Sequence, residues 1–413
     1  MMKMNRYWQH SDLKTLAILA PLVALFALSL DFFIPIVPQL NEHFSVSEEM
    51  MQLTLSGFML TCAIAQVIAG PLCDKYGRRP VALSSLKIFI LGSIIAPLYP
   101  SFYFLLFARL LQAVGASGTF LCAYTTVRDL YPHSSESARI YSYISVCISQ
   151  SSIFAPAIGG YVAQQTIWQS VFVILTFVGL LTLWSSWKHY AETTPHKHPI
   201  HYAHLKRAYY YVLINRNFQV YSLAAATGMG SFFMFFSQSP YIIIETLGYS
   251  KPMFGIFFGI VGSSFFLTSL CTSKICDRVG PHYTVEIGAS LMTLGGIALI
   301  LLHLFLGVTI IGFIPPMMCV VSGAALTIGA GLAGTMQPFG SIAGVAFSAV
   351  GFIKFAFSAC LGLLLMLLPI SPSSLGMIIV ILAATCATLC WVYRDELIDN
   401  VNAEAVILPS EWD

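Results

Sequence analysis

Charge is the scarcest commodity in this chain: 9% of its 413 residues are Asp, Glu, Lys or Arg, where soluble domains average about 25%. That scarcity excludes a large water-facing domain and a basic surface for nucleic acid. No Gly-Lys-Ser/Thr loop is present to cradle a nucleotide phosphate, so nothing supports ATP-driven pumping. No paired histidines or nucleophile motif lie at helical spacing inside an apolar run, which argues against a membrane-embedded enzyme. Cysteine is present but unorganised. Cys62, Cys122, Cys147, Cys271, Cys319, Cys360, Cys386 and Cys390 are scattered through apolar segments without paired spacing, the pattern of small buried hydrophobes rather than of disulfides or metal ligands.

What is there instead is apolar length. Hydrophobic residues make up 57% of the chain and its mean hydropathy is +0.79. A spanning helix with its loop takes roughly 30 residues, so about twelve spans fit. The expected fold is an all-α membrane protein with spans near 14–39, 51–72, 81–99, 102–125, 138–163, 168–187, 217–244, 253–273, 284–303, 308–332, 338–368 and 374–393. The apolar run from Leu16 to Pro38 is too long for the core of a cleavable signal and is expected to stay as the first span. With both termini cytoplasmic, Lys and Arg residues fall on or near cytoplasmic ends except for Lys251, outside, and Arg109 and Lys354, within spans.

The most informative stretch is Gly70-Pro-Leu-Cys-Asp74-Lys-Tyr-Gly77-Arg78-Arg79-Pro, a charged turn between two apolar segments. Gly70 and Gly77 let two helix ends approach, Asp74 either caps a neighbouring helix or pairs with a cation, and Arg78 and Arg79 mark a cytoplasmic face. About 200 residues later Ser273-Lys-Ile-Cys-Asp277-Arg-Val-Gly280 repeats the turn, with Pro281 and His282 in place of the arginine pair. Between them, Lys188 to Arg216 is the longest polar connection. It holds His189, His196, His198, His201 and His204 without a carboxylate or thiolate cluster, which favours a solvated segment over a metal site. The chain therefore reads as two six-helix, pseudo-symmetric halves, 1–187 and 217–413, joined by a cytoplasmic linker at 188–216. Transporters of that plan bind substrate near the midplane.

These motifs, in order and at this spacing, resemble the major facilitator superfamily, and within it the drug:proton antiporters of the bicyclomycin-resistance type. The Gly70–Arg79 turn matches the signature between spans two and three. Arg109-Leu-Leu-Gln112-Ala-Val-Gly115-Ala-Ser-Gly118 is similar to the span-four signature, and Ala155-Pro156-Ala-Ile-Gly159-Gly160 to the antiporter signature of span five. Asp31-Phe-Phe-Ile-Pro35-Ile-Val-Pro38, Gln52-Leu-Thr-Leu-Ser and Val127-Arg128-Asp129-Leu130 resemble the bicyclomycin-resistance branch. The resemblance implies proton-coupled efflux of a small amphipathic molecule such as a drug, metabolite or siderophore, by alternating access, from the bacterial inner membrane. A proton-coupled nutrient symporter is the alternative. Lipid, protons and one small-molecule substrate are the expected partners of a monomer, with no cofactor and no metal.

Four residues carry the chemistry in this reading. A carboxylate inside a span costs on the order of 3 kcal/mol, so Asp31 needs a compensating role, and proton or cation binding supplies one. Arg109 stays charged and cannot be the titrating group, but its donors can hold Gln112, backbone carbonyls or an anion. Lys354, midway along span eleven, stands where the family usually has a neutral polar residue. It either pairs with Asp31, attracts an anionic group of the substrate, or titrates. Tyr124 stands where the branch tends to carry a further arginine, so the local field differs. Pro156, Gly159 and Gly160 let span five bend and pack closely. Phe232, Phe236 and Gln238 are candidate cavity-lining residues, as is Asn41 near the outer loop.

Overall fold

Two prolines decide how the first span is built. In this computed structural model, helix α1 (Asp12–Asp31) stops, a single 3₁₀ turn (Ile34–Ile36) follows, and α2 (Val37–Phe44) resumes. Pro35 has no N–H to give to the carbonyl four residues back, which belongs to Asp31, and Pro38 removes the corresponding bond to Ile34. The expected single span at 14–39 is thus a broken one, with Asp31 as the last residue before the break. The structure describes residues 8, 10–131, 134–193, 202–336, 338–339 and 343–394.

The remaining elements are helical. They are α3 (Glu48–Tyr76), α4 (Arg78–Ile95), α5 (Phe102–Leu130), α6 (Ser134–Gln165) and α7 (Gln169–His189), then α8 (Tyr202–Ile214) and α9 (Arg216–Pro240), which runs on as a π-helical turn (Tyr241–Thr246). After these come α10 (Lys251–Val279), α11 (Pro281–Leu306), α12 (Ile310–Met336), α13 (Ala343–Leu365) and α14 (Pro372–Val392). Ser47 opens α3 by accepting a hydrogen bond from the Met50 amide at 3.3 Å, with Glu48 and Glu49 in the first turn where the helix dipole favours them. Among the described residues ten helices are long and apolar enough to cross a membrane. The other two of the expected twelve, α4 and α6, are continuous helices of 18 and 32 residues.

The chain divides into two compact units, one of residues 1–200, 236–266 and 359–370, the other of 201–235, 267–358 and 371–413. In the first unit α6 and α10 meet backbone to backbone. A Cβ at Gly259 would lie 2.7 Å from the Ile153 carbonyl oxygen, and one at Gly255 would lie 2.7 Å from the Pro156 carbonyl carbon. Small residues are what allow helices to approach this closely in lipid, where no hydrophobic force drives them together. In the second unit Tyr221, Val285, Ala330, Cys386 and Cys390 form one buried cluster and Val212, Phe218, Phe339 and Ala349 another. Val212 belongs to α8, inside the stretch read from sequence as a polar linker; that part of 188–216 is an amphipathic helix that buries Ala208 and Val212.

Candidate functional site

Asp31 is fully buried at the proline-made end of α1. Its Oδ2 accepts hydrogen bonds from Ser151 and Ser152 of α6, each at 3.1 Å, while Oδ1 is buried and has no partner among the described residues. A buried carboxylate oxygen without a donor is costly when charged, and the cost disappears if a proton or a ligand donor arrives there. The site is asymmetric by construction.

Arg109 of α5 is also fully buried. Its guanidinium lies between two aromatic faces, 4.2 Å from the Phe33 ring centroid and 4.5 Å from that of Phe58. One terminal nitrogen donates to the Ser29 carbonyl at 2.8 Å and to Gln112 Oε1 at 2.9 Å, and Gln112 in turn donates to the Ser93 hydroxyl at 2.7 Å. The other terminal nitrogen and Nε have no partner among the described residues. Arg109 therefore binds the backbone two residues before Asp31, not its carboxylate, and cation–π contacts replace a counter-ion. Fifteen residues further along α5, Tyr124 stacks on Phe120 with ring centroids 4.7 Å apart, so an aromatic pair stands at the position where the branch tends to carry an arginine.

α6 joins Asp31 to α10. On one side it presents Ser151 and Ser152 to Asp31 and Gly159 to Phe32, where a Cβ would fall 2.9 Å from the ring. On the other side a Cβ at Gly160 would lie 2.8 Å from the Lys251 carbonyl carbon, beside the contacts of Gly255 with Pro156. The side chain of Lys251 itself donates to Gln39 at 2.6 Å, which ties the start of α10 to α2. Nearby, Asn41 and Tyr241 share a hydrogen bond at 3.4 Å.

The charged turn is a network around Arg78. Its terminal nitrogen reaches Asp74 at 2.7 Å and its Nε reaches Asp129 of α5 at 3.0 Å. The cap of α4 comes from elsewhere. Glu192 accepts from the Arg78 amide at 2.8 Å and from the Arg79 amide at 3.3 Å, so the sequence option in which Asp74 caps a helix gives way to Asp74 pairing with a cation. Thr193 also donates to Asp129, at 3.3 Å. Gly77 makes room for this: its φ is +103°, and a Cβ there would fall 2.7 Å from the Glu192 carboxyl carbon. The Arg79 guanidinium donates to the Trp187 carbonyl at 2.8 Å, and Gly70 lies half-buried within α3.

A family model described as Major Facilitator Superfamily matches residues 19–369. The chain belongs to the Major Facilitator Superfamily. It is a multi-pass membrane transporter rather than an enzyme, in a family whose members move small molecules. It is 28% identical to the chloramphenicol resistance protein of Pseudomonas aeruginosa over 82% of this chain and 80% of that one. It is 25% identical to the multidrug resistance protein MdtL of Salmonella paratyphi A over 80% of this chain and 82% of that one. Among solved structures it resembles the xylose transporter XylE from E. coli in a partially occluded inward-open conformation, with a TM-score of 0.74 and 12% identity over 92% of this chain and 97% of that one. That likeness speaks to the fold.

The sequence singles out further residues. Lys354 is half-buried on α13, with Nζ 5.4 Å from the Phe355 ring centroid and no ion pair among the described residues. Phe232, Phe236 and Gln238 are buried, Phe236 meeting Phe258 edge-on at 5.0 Å. The second charged turn keeps the backbone of the first: Gly280 has φ +86° and ψ 160°, against +103° and 162° at Gly77. His196, His198 and His201 lie outside the described residues, and among those described no group of His, Cys, Asp and Glu is placed to hold a metal. Sequence reading missed Ser151, Ser152, Glu192 and Thr193. The first two sit one turn before the Pro156 signature, a usable signal, whereas Glu192 lies in the polar connection with nothing local to mark it.

Proposed function

We propose that this transporter exports a small amphipathic molecule, a drug, metabolite or siderophore, in exchange for protons, with Asp31 as the group that a proton and the substrate occupy in turn. The observation that carries this reading is the Asp31 carboxylate, buried at a helix break with one oxygen held by two hydroxyls and the other without a partner among the described residues. Proton arrival at Oδ1 neutralises a charge that the apolar surroundings penalise. Substrate binding to the deprotonated form, with release of that proton to the cytoplasm, completes the exchange. A proton moving down 100 mV supplies about 2.3 kcal/mol, a little under two decades of concentration ratio.

The relatives named for chloramphenicol and multidrug resistance support export over uptake. Arg109 sets the field without titrating, and Lys354 offers a cation for an acidic group on the substrate. The turn at Gly70, Asp74, Gly77, Arg78 and Arg79 acts as the cytoplasmic gate, and Pro156, Gly159 and Gly160 form the seam along which α6 moves. Phe232, Phe236 and Gln238 contact substrate. The protein works as a monomer in the bacterial inner membrane with both termini in the cytoplasm, protons being the only coupling ion and no cofactor taking part.

Radiolabelled chloramphenicol in intact cells tests direction. Expression should lower its steady-state accumulation, and a protonophore should restore it. Accumulation raised by expression, and abolished by the protonophore, would instead establish uptake.

A further inference from the structure

A groove of about 740 Å³ runs along the junction of α10 and α11, lined by Arg278, Tyr283, Glu286, Ile287, Leu291 and Leu294. It opens on the face of α11 that carries Ile287, Leu294, Leu301 and Leu304, all exposed at helical spacing, which is the pattern of a lipid-facing ridge. Its polar end holds one charge of each sign. Arg278, in the last turn of α10, is exposed and forms no ion pair among the described residues. Glu286 has one carboxylate oxygen buried without a partner among the described residues.

Their neighbours are occupied elsewhere. The Ser290 hydroxyl donates to the backbone carbonyl of Glu286 at 2.8 Å and not to its carboxylate. Arg394 donates to the Tyr283 hydroxyl and lies over that ring, 4.8 Å from its centroid. Among the described residues the groove thus offers a cation without an ion pair at its mouth and a carboxylate oxygen without a partner just inside. At 1.5 Å per residue Glu286 lies about 8 Å from the start of α11 and Leu294 about 20 Å, so the charges sit at headgroup depth and the leucines at acyl depth.

We propose that this groove is a binding site for one phospholipid with a primary-ammonium headgroup. Arg278 receives the phosphate, Glu286 accepts hydrogen bonds from the ammonium, and an acyl chain lies along Ile287, Leu291 and Leu294. Charge complementarity selects this occupant. An anionic lipid without an amine would leave Glu286 facing a like charge, and a soluble phosphate compound would leave the apolar length of the groove empty.

The test is native mass spectrometry of the full-length protein, delipidated in detergent and reloaded with phosphatidylethanolamine or with phosphatidylglycerol of the same chains. The wild type should retain one phosphatidylethanolamine several-fold more strongly than phosphatidylglycerol. Glu286→Gln should abolish that preference, and Arg278→Ala should weaken both lipids. Glycerophosphoethanolamine, which lacks acyl chains, should not displace the bound lipid. Equal retention of the two lipids by the wild type would overturn the proposal without any variant being made. So would a preference that survives Glu286→Gln, or displacement by the chainless headgroup.

Discussion

Glu192 holds Arg78 by its backbone, not by its charge: the carboxylate sits 2.8 Å from the Arg78 amide nitrogen, while the guanidinium turns away to Asp74 and Asp129. A residue three positions past the end of α7 therefore caps α4, and Gly77 is the position that lets it in. Replacing a capping side chain by alanine costs about 1 kcal/mol. Glu192→Ala should lower the melting temperature of the detergent-solubilised protein modestly. Gly77→Ala should lower it further, because it adds left-handed backbone strain and expels the same carboxylate.

The two partners of Arg78 should not be equivalent. The Asp129 side chain is 14% exposed and that of Asp74 is 59% exposed. Breaking a buried pair typically costs about 3–5 kcal/mol, whereas an exposed one is worth about 0–1 kcal/mol. Asp129→Asn should thus cost clearly more thermal stability than Asp74→Asn. If Asp74 acts in the gate, Asp74→Asn should still slow transport while leaving substrate binding nearly intact, as read by turnover and equilibrium binding on one preparation.

Arg109→Lys should fail where a conservative change is expected to succeed. A lysine keeps the charge but cannot lie flat between Phe33 and Phe58 while reaching both the Ser29 carbonyl and Gln112. Transport should fall at least tenfold, equivalent to about 1.4 kcal/mol. Activity close to wild type would show that charge alone is required.

The seam between α6 and α10 has no room for a Cβ at Gly160, Gly255 or Gly259. Gly160→Val should destabilise the protein by about 1–3 kcal/mol, since the obstructing atoms are Lys251 backbone and cannot rotate away. Gly248, with nothing within reach of a Cβ, is the control for crowding. Gly248→Ala carries only the strain of its positive φ.

Long-range polar partners were the part hidden from the sequence. The all-helical membrane fold, the charged turn and the burial of Asp31 and Arg109 were legible, because apolar run length and the cost of charge in lipid act locally. The break after Asp31 was legible in principle from Pro35 and Pro38, yet hydropathy alone merges the pieces into one span. The serines that hold Asp31 and the glutamate that caps α4 come from helices or connections more than 100 residues away. Nothing in a serine-rich run such as Gln150-Ser151-Ser152 says which face it turns to a partner. The α8 helix was obscured by its neighbours, since the polar, histidine-rich residues before it dominate the composition of that window.

Proton movement in energised everted vesicles tests the central claim most directly. Addition of a transported compound should release protons from the vesicle lumen, read by dequenching of a pH-sensitive dye across cationic drugs, acidic metabolites and siderophores. Asp31→Asn, expressed and folded at wild-type levels, should abolish that response. A substrate-dependent proton signal that persists undiminished in Asp31→Asn would contradict the account and move the coupling to another group.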